Sequence, residues 1–196
     1  PLMRTPLLQS KANFKAKIIA IGSAGHHTGA TTLALNLAHE LSLLEKKTLL
    51  IDANFSSPAI ATLLDLRKIA EEDKWRDISD DLSVAEITQS NITDFSARAM
   101  EAALYFDYIV IDLGSLQNIA SDLSDRRWSS QVKIWASRFA QELFISSGTD
   151  VLQKARLNKL CAELSGVKLP ARISLFIRAS EPSVKKEGAQ LEDFQS

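Results

Sequence analysis

An α/β domain, with a mostly parallel sheet and helices on both faces, is the fold this sequence predicts. Three observations carry it. Short apolar runs alternate with longer stretches of helical periodicity, which is the pattern of parallel strands joined by crossover helices. Runs such as YIVI are apolar without alternation, as befits strands covered on both faces. Hydrophobic residues make up 45% of the 196 positions, enough for one domain with a real core.

The elements follow in order. Residues 1–16 hold two prolines and scattered basic residues and read as a linker or flexible arm. The domain proper spans 17–180. Lys17–Gly22, KIIAIG, is a buried strand. After a polar, glycine-rich loop, Leu33, Leu37, Leu41 and Leu44 mark one face of a helix from Ala30, widened by Ala34 and Ala38. Thr48–Asp52 is the second strand. Pro58 suits the first turn of a helix carrying AIATLLDL. The charged stretch 67–81, around Trp75, reads as an exposed connection. Short helices are expected around Val84–Gln89 and Thr93–Leu104, and a third strand over Asp107–Asp112. Leu113–Ser130 reads as irregular, Gln131–Ala140 as helix and Glu142–Ser146 as strand. Asp150 is placed to cap a helix running to Leu164. Arg172–Ala179 is the fifth strand, and 181–196 is a polar tail. No internal repeat interrupts this order.

Charge and cysteine content narrow the function. With 23 basic and 24 acidic residues the net charge is −1, so the basic excess of a polyanion binder is missing, and nothing supports direct nucleic-acid binding. Cys161 is the sole cysteine, which excludes a disulfide framework and fits a reducing compartment. It reads as a small core residue. No apolar run approaches the ~18 residues of a membrane span. Leu7-Leu8 is too short for a secretion signal. A cytoplasmic location is the expectation.

Gly22, Gly25 and Gly29 are three of only seven glycines. They lie between the first strand and the first helix, where loop N–H groups and a helix N-terminus make an anion cradle. The candidate loop is Gly25, His26, His27, Thr28, Gly29, Ala30, Thr31 and Thr32. A full phosphate loop would carry lysine where Ala30 stands and glycine where Ala24 stands. Two readings stay open: a phosphate cradle, or a plain strand-to-helix turn. Asp52 and Asp112 stand at strand ends, where either could simply cap the turn that follows. His26 and His27 are poor metal ligands, because adjacent side chains rarely converge on one ion. One of them could instead donate to a phosphate. Trp128 and Trp135, seven apart, share a face of the expected helix, as core or as an interface.

In register, GATTLALNLAHEL, KKTLLIDAN and FDYIVIDLG resemble the MinD/ParA superfamily of deviant P-loop ATPases, over roughly Lys17 to Ala179. The loop pattern is most similar to the CpaE/TadZ branch of pilus-assembly proteins, and the cellulose-synthesis protein BcsQ is similar too. The resemblance implies a P-loop domain taking ATP or ADP with Mg2+, Thr31 ligating the ion and Asp52 and Asp112 holding its waters, and protein partners in a localisation or secretion machinery. By analogy with TadZ-like members, 1–16 would be the stub of a linker to an N-terminal domain. Departures imply a weakened ATPase. The family's dimer-bridging lysine would be Gly25, its two loop glycines His26 and His27, its P-loop lysine Ala30, and the second acid of its second-strand motif Asn54. Lost lysines remove charge from the β/γ-phosphates, and asparagine cannot accept a proton as a carboxylate can. The implied function is therefore a pseudo-ATPase acting as a positioning or scaffold factor in pilus or secretion-system assembly. The alternative is an active but atypical ATPase in partitioning or localisation. Arg178 or a neighbour replaces the family's base-contacting asparagine. The tail KKEGAQLEDFQS lacks the apolar face of a membrane-binding helix. A homodimer would need a surface other than the family's lysine-bridged one, and the Trp128–Trp135 face is the candidate.

Overall fold

The computed structural model describes residues 15–66, 75–125, 127–167, 169 and 171–178. Seven strands form one sheet in the order β3-β4-β2-β5-β1-β6-β7. They are β1 (Lys17–Ser23), β2 (Thr48–Asp52), β3 (Arg76–Asp77), β4 (Leu82–Glu86), β5 (Tyr108–Ser115), β6 (Glu142–Gly148) and β7 (Arg172–Arg178). Every neighbouring pair is parallel except β3 with β4. The helices are α1 (Ala30–Leu43), α2 (Ile60–Leu63), α3 (Phe95–Tyr105), α4 (Ile119–Ser124), α5 (Gln131–Phe139) and α6 (Val151–Ser165).

One face of the sheet carries α1 and α2 over Ile19, Ile21, Leu50, Val84 and Val110. The other carries α3, α5 and α6 over Ile18, Leu49, Ile51, Ile109 and Ile111. Consecutive residues of β1, β2 and β5 thus serve opposite cores, which is why these strands are apolar throughout. The buried residues of α1 are Ala30, Ala34 and Ala38. These alanines bring the helix close to the sheet, while Leu33, Leu37 and Leu41 pack along its flanks. The expected leucine face is therefore centred on alanine.

Four expectations are corrected, Cys161 below among them. Val84–Gln89 is not a helix: residues 82–86 form β4, parallel to β2. Ser83 and Glu86 interrupt its apolar run, yet Leu82 to Ala85 are all buried. Ser83 reconciles this by donating its hydroxyl to Asp77 at 2.6 Å. Leu113–Ser130 is not wholly irregular, since β5 continues to Ser115 and α4 follows. Trp135 is no interface residue: it is 5% exposed, packed edge-on against Phe95 and beside Phe139. Trp128 lies before α5 in a 3-10 turn and packs edge-on against Phe55.

Asp150 caps α6 as expected, accepting the Gln153 N–H at 2.9 Å. Cys161 is exposed instead of buried. Of the expected arm, Ala16 is buried and its N–H donates to the Ala103 carbonyl, while Lys15 pairs with Asp107 at 2.9 Å. Residues 1–14, 67–74 and 181–196 lie outside the described residues, and with them most of the arm, half the charged connection and the tail. Among the described residues no helix is long and apolar enough to cross a membrane.

Candidate functional site

Strands β1, β2 and β5 end together. Asp52, the last residue of β2, and Asp112, in the carboxyl half of β5, are direct register partners, toward the end of a parallel α/β sheet where ligands bind. The loop after β1 closes one side of a cleft of about 220 Å3, lined by His26 to Thr32, Asn54, Ser56, Ser57, Gly114 and Ser115, with Ser23 and Ala59. The cleft is open. His26 and His27 are exposed at its rim and do not fill it.

Each loop residue has a distinct task. Thr28 is buried, and its hydroxyl lies 3.2 Å from both the Gly25 and Ser146 carbonyls. The Ser146 hydroxyl donates back to the Thr28 carbonyl. These bonds stitch the loop to β6, so Thr28 offers a ligand its backbone only. Gly29 takes the left-handed conformation at φ 88, and no side chain caps α1 behind it. A Cβ at Gly29 would meet nothing within 4 Å, so it is the left-handed backbone and not crowding that calls for glycine here. Uncapped N–H groups of a first turn, with the positive end of the helix dipole, attract an anion. His27 is also left-handed, at φ 58. Histidine tolerates that region better than most side chains, which explains how it occupies a glycine position.

Gly25 is held from outside the cleft. The Gln153 amide and the Arg156 guanidinium of α6 lie against it, where a Cβ would come within 2.4 and 3.1 Å of them. Gln153 Nε2 is 3.4 Å from the His26 carbonyl. A long side chain at position 25 would have to displace both.

The two aspartates differ. Asp52 Oδ1 accepts the Asn54 N–H at 3.1 Å, and Oδ2 accepts those of Ala59 and Ile60, each at 3.0 Å. Asp52 thereby organises the turn into α2. Burial pushes its carboxyl above the usual range, and these three N–H bonds oppose the rise. Asp112 is fully buried. Its Oδ1 accepts the Gly114 N–H at 3.0 Å, but Oδ2 has no hydrogen-bond partner. Burial raises its pKa most and the Asp52 charge adds to that, while the Thr31 side chain and the Gly114 N–H act against it. An orphaned buried carboxylate oxygen facing a threonine hydroxyl fits a small hard cation held partly by a ligand's phosphates, as Mg2+ is. Among the described residues no cluster of three or more His, Cys, Asp or Glu could hold a metal by itself.

Asn54 stands against Gly114, where a Cβ would lie 2.3 Å from its side-chain oxygen. Among the described residues lining the cleft there is no lysine, arginine, aspartate or glutamate. Sequence reasoning missed Gln153 and Arg156 of α6, and also Ser56, Ser57 and Ser115. No local pattern marks them, because their place depends on how β2, β5 and β6 bring their carboxyl ends and the chain beyond together.

No protein-family profile and no curated protein sequence matches this chain. Solved structures match its fold. A ParA family ATPase from Chlorobium tepidum superposes with a TM-score of 0.58 at 19% identity, over 82% of this chain and 73% of that one. A plasmid partition protein from Borrelia burgdorferi bound to AMPPNP gives 0.56 at 19%, over 82% and 75%. The septum site-determining protein MinD from Pyrococcus horikoshii, complexed with Mg-ADP, gives 0.61 at 14%, over 80% and 68%. The fold is that of the ParA/MinD-type P-loop ATPases.

Proposed function

We propose that this chain is a nucleotide-binding positioning or scaffold protein of ParA/MinD type, with weak or no hydrolysis. One observation carries the reading: an open cleft over an uncapped helix N-terminus, with the orphaned Asp112 oxygen beneath it and no charged side chain on its walls. The α1 N–H groups would hold the phosphates. Thr31 would ligate Mg2+, and Asp112, with Asp52 behind it, would hold the ion's waters. The ion would neutralise phosphate charge. Asn54 would hold a water near the terminal phosphate without taking its proton. Binding is thus kept while the charges that speed phosphoryl transfer are lost.

A bound nucleotide would act as a conformational signal to a protein partner. The loop pattern GAT favours a place in pilus or secretion-system assembly, after the CpaE/TadZ branch. The solved relatives by name serve partitioning and septum placement, which keeps the broader class of localisation factors in view. A cytoplasmic location follows from that reading.

Titrating the purified chain with fluorescent ATP and ADP, with and without Mg2+, alongside a phosphate-release assay, tests it. Mg2+-dependent binding lost in Thr31→Ala, with phosphate release at background, is the expected result. Turnover that disappears in Thr31→Ala would instead reveal a working, atypical ATPase. Absence of binding at millimolar nucleotide would leave an interaction module on an inherited fold.

A further inference from the structure

The cleft does not end at its rim. His26, Asn54, Ser56 and Ser115 also line an adjoining hollow of about 310 Å3, whose far wall carries Lys133, Arg127 and Asp122. The two spaces thus share a wall, and the second carries two cations and one carboxylate where the first carries no charge.

Lys133 is fixed in this wall. Its helix, α5, is anchored by Val132, Trp135 and Ala136, all buried. Its side chain is only 15% exposed. Its Nζ donates to the Ser115 carbonyl at 3.0 Å and to Asp122 at 2.6 Å. An ammonium has three donors, and one remains beyond these two. Ser115 directly follows Gly114, whose N–H rests on Asp112, so the ammonium lies beside the turn that forms the cleft floor. Arg127 is different: its side chain is 66% exposed and it pairs with Asp125, so solvent screens it.

We propose that Lys133 is the cation for the terminal phosphate of a bound nucleoside triphosphate, supplied in cis from α5 in place of the charge missing at Gly25 and Ala30. The inference rests on the nucleotide reading above. A triphosphate seated on the α1 N-terminus extends its last phosphate toward Ser115, and the lysine turns its free donor to it. A diphosphate stops short of the groove. Asp122 is the competing partner, holding the ammonium when no triphosphate is present. Lys133 thereby distinguishes ATP from ADP at a loop that cannot.

Equilibrium titrations with fluorescent ATP and ADP in Mg2+, on wild type and variants, test this. Loss of a charge-assisted hydrogen bond in Lys133→Met should weaken ATP by about tenfold or more. ADP should change by less than about threefold, and Lys133→Arg should restore the preference. Asp122→Asn frees the ammonium and should tighten ATP selectively, and it decides the matter if Lys133→Met fails to fold. Equal effects on ATP and ADP, or none, would overturn the role of Lys133 and leave nucleotide binding standing. Failure of the wild type to bind either nucleotide would overturn both.

Discussion

Asp112 shows at one residue how stability is set against binding. Its Oδ2 is buried with no hydrogen-bond partner, and leaving a buried polar group unpaired costs about 1–3 kcal/mol. Burial lifts its pKa and that of Asp52, so the folded state binds protons more tightly than the unfolded chain. The stability these groups contribute is present below the ordinary carboxylate range and is lost as pH rises through their raised values. Asp112→Asn removes the charge and keeps an oxygen for the Gly114 N–H. We expect it to raise the melting temperature at pH 7, with an advantage over wild type that shrinks on acidification. Thermal unfolding across pH 4–8 measures this, and a lower melting temperature at neutral pH would contradict it. The same variant should lose Mg2+-dependent nucleotide binding.

At the scale of elements, strand β1 and the turn after β5 meet at Gly22. A Cβ there would lie 2.4–2.9 Å from three carbons of Leu116, itself fully buried. The leucine is enclosed, with a hollow of only about 30 Å3 beside it. Gly22→Ala should therefore cost about 1–3 kcal/mol by overpacking, read as a shifted denaturant midpoint with an unchanged slope. An unaltered midpoint would mean that the turn can slide. Gly25→Ala meets only the flexible ends of Gln153 and Arg156, so it should perturb α6 against the loop more than it perturbs stability. The contrast separates a glycine required by the core from one required by the loop's neighbour.

For the whole molecule, the two cores and the exposed edge define where partners can act. Trp135 belongs to the core on the α3, α5 and α6 side. Trp135→Ala should cost about 3–5 kcal/mol and unfold the chain at lower denaturant, without the discrete change of mass that loss of a dimer face would give. Sedimentation at concentrations where the variant remains folded checks this. At the sheet's edge β7 is exposed on both faces, with Ile173, Leu175, Phe176 and Ile177 between 42% and 57% accessible. It is fastened to β6 by Arg172, whose guanidinium donates to both Glu142 oxygens at 2.8 and 3.0 Å.

Local chemistry determined much of this protein. The strands of the sheet's centre are continuous apolar runs, the helix after the first of them carries an unbroken apolar period, and Asp150 announces its own cap. Those features are set by near neighbours in the chain, so they are readable before folding. The loop residues and both strand-end aspartates were legible for the same reason, since a strand, a glycine-rich turn and a helix are consecutive. Tertiary structure decided the rest. Val84–Gln89 reads as a helix until β4 pairs with β2 and Asp77 takes the hydroxyl of buried Ser83. Trp135 reads as either core or interface until Phe95 and Phe139 enclose it. Asp52 and Asp112, sixty residues apart, become neighbours only when β2 and β5 pair, although the N–H groups that occupy their oxygens are local. Lys133 comes to the hollow beside the cleft only because α5 is delivered there by a crossover whose endpoint no local pattern encodes.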